Sequence, residues 1–148
     1  MKKAFILLFS ALLPLLARGA DPVEVDGIYY ELIPKAKTAH VVSHPNSGYT
    51  GDIVIPETFT YNGVNYTVDV ISEKAFQYSG ITSVIIPDGV TSIKDYAFYR
   101  CGSMSSVKFG ENVQKIGEYA FSYCSSLTSV ELPNSVNEYG YLCFSGCI

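Results

Sequence analysis

The sequence predicts a mainly β protein: a solenoid of coils about 23 residues long that share one parallel strand sheet, preceded by a β-rich N-terminal cap containing a hairpin. Three observations predict it. Val90, Ile93, Ala97, Phe98, Cys101, Met104, Val107 and Phe109 return as Val113, Ile116, Ala120, Phe121, Cys124, Leu127, Val130 and Leu132, each 23 residues on. The segments "ITSVIIP" and "LTSVELP" alternate apolar and polar residues up to a proline and recur in step with that series. And "TFTYNGVNYTV" sets Asn62-Gly63 between two alternating arms, the signal of a type I′ hairpin. A fixed period of this length decides the architecture before local propensity does, because each repeat is one unit that cannot bury its apolar side alone.

Taken from the N-terminus, the chain opens with "MKK", the apolar run "AFILLFSALLPLLA" and then "RGADP". A basic start, an apolar core of 14 residues broken by Pro14 and the small-x-small triplet Ala17-Arg18-Gly19 read as a secretory signal peptide over residues 1–19, with the mature chain starting at Ala20. The core is shorter than the roughly 18 to 20 residues that cross a bilayer as a permanent helix, so no transmembrane span is expected after cleavage. No cysteine sits near the cleavage site, which argues against a lipid anchor there.

Residues 20–67 read as an N-terminal β cap with an irregular first coil. "GIYYEL" alternates as a strand does, and "TAHVVSH" is a second candidate. "DIVIP" imitates the repeat strand, but Ile53 lies 31 residues before Val84, eight more than the period. The Asn62-Gly63 hairpin supplies those extra residues and is expected to help cover the open end of the stack over Gly51–Ile71, as exposed solenoid ends require.

Residues 68–148 read as the repeats. Val84 and Ile86, or Val130 and Leu132, point inward from a short strand; strands recurring head to tail at one spacing must stack in parallel. The Ala-Phe pair then sits on a tight return, with alanine against the wall and phenylalanine filling the coil. "VTSI" and "VQKI" are expected to cross the opposite side as a weaker extended piece, and little helix is needed. Ile71, Ala75 and Phe76 precede their partners by 22 residues, so one residue is missing between Tyr78 and Ile81. The last repeat is incomplete: Cys147 corresponds to Cys124, and the sequence stops two residues before the next expected leucine. That reads as a truncated product, a fragment of a longer array, or an edge that a partner covers.

Composition narrows the function classes. The 148 residues are 48% hydrophobic, with 12 Tyr, 8 Phe and no Trp, as in one ordered domain. Without the leader the chain carries 7 basic and 14 acidic residues, 7 − 14 = −7, which leaves no basic face for nucleic acid. Cys101, Cys124 and Cys147 share one repeat position, and Cys143 takes the place of Ala97 and Ala120. A residue repeating at one core position is most simply a small buried side chain, whereas an even count in an exported protein leaves disulfides between neighbouring coils open. His40 and His44, in the β-branched stretch "HVVSHP", read as strand-end or loop residues, so no metal is expected. No G-x-S-x-G, glycine-rich phosphate loop or paired carboxylates stand out, so neither an enzyme nor a cofactor is expected.

The frame x-x-V-x-x-I-x-x-x-A-F-x-x-C-x-x-L-x-x-V-x-L-P, as it stands in Val113–Pro133, resembles the BspA-type leucine-rich repeat of bacterial surface and secreted proteins. The likeness covers residues 68–148, and the segment before them resembles the cap that precedes such arrays. It implies a leucine-rich repeat solenoid, exported to the cell surface or secreted. It also implies a non-enzymatic role in adhesion or protein recognition, with a host, neighbouring-cell or matrix protein as partner. Binding residues are then expected where outward side chains of the strand sheet line up: Ser83, Ser106 and Ser129 in one column, Ile85, Lys108 and Glu131 in the next, the last two within reach of one another. Tyr78, Tyr96, Tyr99, Tyr119 and Tyr123, on the return side, serve either recognition or packing. The other reading is a structural spacer, one segment of a longer surface array with no ligand of its own.

Overall fold

The structure, a computed structural model, describes residues 20–147. The leader therefore lies outside the described residues. Among the described residues there are eleven strands and no helix: β1 Val23–Val25, β2 Ile28–Ile33, β3 Thr38–Val41, β4 Thr50–Val54, β5 Thr58–Tyr61, β6 Val64–Ile71, β7 Gly80–Ile85, β8 Ser92–Ile93, β9 Ser106–Lys108, β10 Lys115–Ile116 and β11 Glu138–Tyr139. Two sheets close the solenoid from opposite sides. One has eight strands in the order β1-β2-β3-β6-β8-β10-β11, with β5 also paired to β6; the other is the three-stranded parallel sheet β4-β7-β9.

The cap is antiparallel where the chain is local and parallel where it meets the stack. β1, β2 and β3 form a meander, and β3 then runs parallel to β6 with a bulge between Ala39 and His40. The β5–β6 hairpin forms on Asn62 and Gly63, whose φ angles of 47° and 78° are those a type I′ turn demands. β6 hands the ladder on to β8, β10 and β11, the "VTSI" and "VQKI" stretches of each coil.

The recurring residues make the core. Phe76, Phe98 and Phe121 are fully buried, and their rings form a stack continued by Phe144, with centroids 4.9, 4.9 and 5.2 Å apart and planes within 10° of parallel. Ala75, Ala97 and Ala120 are buried on the return, and Cys143 is buried at the same position in the last coil. Each return bonds to the next: the Phe76, Phe98 and Phe121 amides donate to the carbonyls of Ala97, Ala120 and Cys143 at 2.7–2.8 Å. The turns that allow this are costly. Lys74 and Tyr78, Tyr96 and Arg100, Tyr119 and Tyr123 all take left-handed φ angles of 53–59°, a conformation that costs an L-residue about 1–2 kcal/mol and persists because the inter-coil bonds over-determine it.

All four cysteines are free thiols. Cys101, Cys124 and Cys147 each donate an S–H to the phenylalanine carbonyl of the preceding coil, Phe76, Phe98 and Phe121, at 3.0–3.2 Å. The shared repeat position thus satisfies a backbone acceptor within the core.

"LTSVEL" departs from the expected repeat strand. Ser106–Lys108 pairs with β7, but the equivalent stretch at Ser129–Glu131 joins no ladder. Phe109, in the place of Ile86 and Leu132, is the bulkiest residue at that position and packs edge-on against Phe121 at 5.5 Å. Val130 is only half-buried and Leu132 is 37% exposed, so this stretch gains little apolar burial by closing on β9. The opposite side stays shut, with Lys115 and Ile116 registered on Glu138 and Tyr139.

Candidate functional site

The outward face of the β4-β7-β9 sheet is built by strand alternation. Ile53, Val84 and Val107 face inward in register, so the residues flanking them face out. The ladder sets Asp52, Ser83 and Ser106 in one row and Val54, Ile85 and Lys108 in the next. Ser83, Ile85, Ser106 and Lys108, four of the six residues expected there, thus lie side by side. Ser129 and Glu131 do not join them. They stand across an open cleft of about 560 Å³, whose near wall carries Ser106, Lys108 and Glu111. No ion pair joins Lys108 to Glu131 among the described residues.

Asp52 and Val54 extend both rows by one coil. The alignment of "DIVIP" with "SVIIP" carried the signal, but the 31-residue interval hid the register. The Asp52 carboxylate accepts hydrogen bonds from the Ser83 and Thr82 hydroxyls, each at 2.7 Å, and those two bonds hold its pKa below the ordinary carboxylate value. Val54, 63% exposed, and Ile85, 41% exposed, form an apolar centre flanked by Asp52 at one end and Lys108 at the other.

His40 and His44 lie apart from this face and do different work. His40 sits between carboxylates, 3.4 Å from Asp69 and 3.9 Å from Glu31. The His44 Nδ1 accepts the amides of Asn46 and Ser47, and its ring meets Tyr29 and Tyr49 edge-on. Among the described residues no group of three or more His, Cys, Asp or Glu is placed to hold a metal ion, and no helix is long and apolar enough to cross a membrane.

Comparison with known proteins agrees with the repeat fold. Residues 53–148 match the family described as BspA type leucine-rich repeat region, in six copies. The chain is similar to a solved leucine-rich repeat protein from Bacteroides capillosus, at 36% identity and TM-score 0.73 over 81% of this chain and 88% of that one. It is similar to another from Bacteroides ovatus, at 29% identity and TM-score 0.74 over 84% of this chain. A third, described as a leucine rich cell surface protein from Faecalibacterium prausnitzii, shares 30% identity at TM-score 0.69 over 83% of this chain. The chain spans 33% of the length of each of the last two. No curated protein matches it.

Proposed function

This chain belongs to the BspA-type leucine-rich repeat family, and from that premise we propose that it is exported, displayed at the cell surface or secreted, and binds a protein partner through the β4-β7-β9 face. In this reading residues 1–19 are the signal peptide, residues 20–67 the cap and first coil, and residues 68–148 the repeats. The family and fold are generally non-enzymatic, and the proposed work is recognition, adhesion to a host, neighbouring-cell or matrix protein. A similar protein described as a cell surface protein supports the location.

One observation carries the binding face. Val54 and Ile85 stand exposed side by side on a rigid ladder, ringed by Asp52, Ser83, Ser106 and Lys108. An apolar centre beside polar neighbours is how the core and rim of a protein-binding patch are arranged. Ser129 and Glu131, across the cleft, are the adjustable margin of the same face.

The spacer reading has its own support: continuous inter-coil bonding, and two longer relatives of which this chain covers 33% each. The test is to screen the purified protein against extracellular-matrix and cell-surface proteins. Any hit is then measured with Ile85→Asp, Lys108→Ala and Glu131→Ala. Ile85→Asp is expected to abolish binding and the alanine variants to weaken it. A folded protein that binds nothing on the panel, or whose Ile85→Asp variant binds equally well, leaves the spacer.

A further inference from the structure

The outer edge of β9 has no strand partner, although the coils on either side of it are bonded elsewhere. On its inner edge β9 pairs with β7, and the Ile86 amide donates to the Lys108 carbonyl at 2.9 Å. Alternate residues of a strand bond to opposite sides, so Ser106 and Lys108 face β7 and Val107 turns its amide and carbonyl into the cleft. Across the cleft, residues 128–132 make no backbone hydrogen bond among the described residues. Both ends of that stretch are nonetheless tied down. The Ser126 hydroxyl donates to the Gly102 carbonyl at 2.6 Å, and the Ser135 hydroxyl to the Val113 carbonyl at 2.7 Å. The stretch is therefore a bow, fixed at its ends and unbonded in the middle, that stands off β9 across about 560 Å³.

Unpaired amides and carbonyls along a strand edge are a template for another strand. A polypeptide in extended form is the ligand that carries donors and acceptors on both of its edges at the spacing of a ladder, about 3.3 Å per residue. The chain's own stretch gains little apolar burial by filling this role, since Val130 stays half-buried and Leu132 is 37% exposed. An inserted strand meets more. Val107, Phe109 and Leu132 line the cleft together with Lys108, Glu111 and Glu131, so apolar and charged side chains are both within its walls. A segment that alternates apolar and polar residues is the complement of such walls.

We propose that the cleft takes an extended segment of the protein partner, alternating apolar and polar residues, which inserts between β9 and residues 128–132 as a further strand of the β4-β7-β9 sheet. The inference rests on the proposed function for a protein partner, and it adds that the partner is held by its backbone as well as by side chains meeting Val54 and Ile85.

The probe is a peptide of this chain's own repeat strand, ITSVIIP, whose sequence already pairs with the other edge of β9 as β7. Calorimetry and amide hydrogen exchange on the purified protein follow it. The peptide is expected to bind and to slow exchange at Val107 and at residues 128–132 about tenfold or more. A copy with an N-methyl group on every second amide keeps the side chains and loses the donors of one edge. It is expected to bind about tenfold more weakly, as loss of two or three ladder bonds gives. Ser129→Pro removes a donor from the far wall without breaking any bond of the free protein, and should weaken the peptide about threefold to tenfold. The N-methylated copy leaves the protein untouched and keeps the test sound if Ser129→Pro misfolds. Ile85→Asp, outside the cleft, should leave peptide binding unchanged while it abolishes binding of a partner to the strand face, so the two readings fail separately. No binding of ITSVIIP, or equal binding of its N-methylated copy, would overturn the proposal. So would slow exchange at Val107 before any peptide is added, since residues 128–132 would then close on β9 unaided.

Discussion

Phe98 lies flat on Phe121, ring centroids 4.9 Å apart and planes within 10° of parallel, and it makes the same contact with Phe76 on its other face at 4.9 Å. One side chain therefore serves three coils, so removing it is not a local event. Phe98→Ala is expected to cost about 3–5 kcal/mol, the upper range for a fully buried aromatic residue, and Phe98→Leu clearly less. Urea unfolding followed by far-ultraviolet circular dichroism measures both. A cost below about 1 kcal/mol for the alanine variant would mean that the stack is not a continuous spine.

Gly110 fixes how closely the third coil approaches the second. A Cβ there would stand 2.3 Å from the Pro87 carbonyl oxygen, a backbone atom that cannot move without shifting the coil. Gly110→Ala is expected to destabilise by about 2–3 kcal/mol through overpacking. Gly102 is the matched control, since its added Cβ would meet only the Ser125 hydroxyl, at 3.4 Å. Thermal unfolding of the two variants side by side should show a lowered Tm for Gly110→Ala and little change for Gly102→Ala; equal shifts would refute the steric account.

Burial pushes the thiols of Cys101 and Cys124 up to about 12, with the neighbouring thiols adding to the rise at Cys124; burial likewise carries the Tyr49 phenol to about 12. In the unfolded chain a thiol ionises near pH 8.5 and a phenol near about 10. The folded state thus holds these protons more tightly than the unfolded one. The stability they contribute is fully present below about pH 8.5 and is lost as pH rises towards about 12. The urea midpoint is expected to hold steady from about pH 7 to 8 and to fall progressively above about pH 9. In the same experiment a thiol reagent at about pH 8 should leave Cys101 and Cys124 unlabelled until denaturant is added. A midpoint unchanged at about pH 11, or prompt labelling without denaturant, would contradict the buried thiols.

Most of the fold is legible in the chain because its information is periodic. The 23-residue interval aligns Ala97, Phe98 and Cys101 with Ala120, Phe121 and Cys124; all six are buried, and Phe98 stacks on Phe121 as the spacing requires. Asn62-Gly63 is legible for a different reason: few turns other than type I′ accept that pair between alternating arms. What alternation does not carry is which strands bond across a broken period. The Asp52 contact with Ser83 bridges 31 residues, so the first member of the proposed binding face is visible only once β4 is seen beside β7. The cleft beside β9 is hidden for a related reason. "LTSVELP" has the same alternation as "ITSVIIP", and whether it closes depends on how much surface Val130 and Leu132 bury, a property of the assembled stack.

Tyr30 shows where the cap holds stability in reserve. Its side chain is fully buried against Phe59, with ring centroids 4.4 Å apart, yet its hydroxyl has no hydrogen-bond partner among the described residues. A buried hydroxyl without a partner loses its bond to water and gains nothing in exchange, a cost of about 1–3 kcal/mol. The same desolvation drives its ionisation far above the ordinary phenol range, so the group stays neutral and contributes only its ring. Tyr30→Phe keeps the ring and removes the orphaned oxygen. It is expected to leave the fold unchanged and raise stability by up to about 1 kcal/mol, read as a higher urea midpoint at an unchanged m-value. A loss of stability on that substitution would show that the hydroxyl has a bonding partner after all.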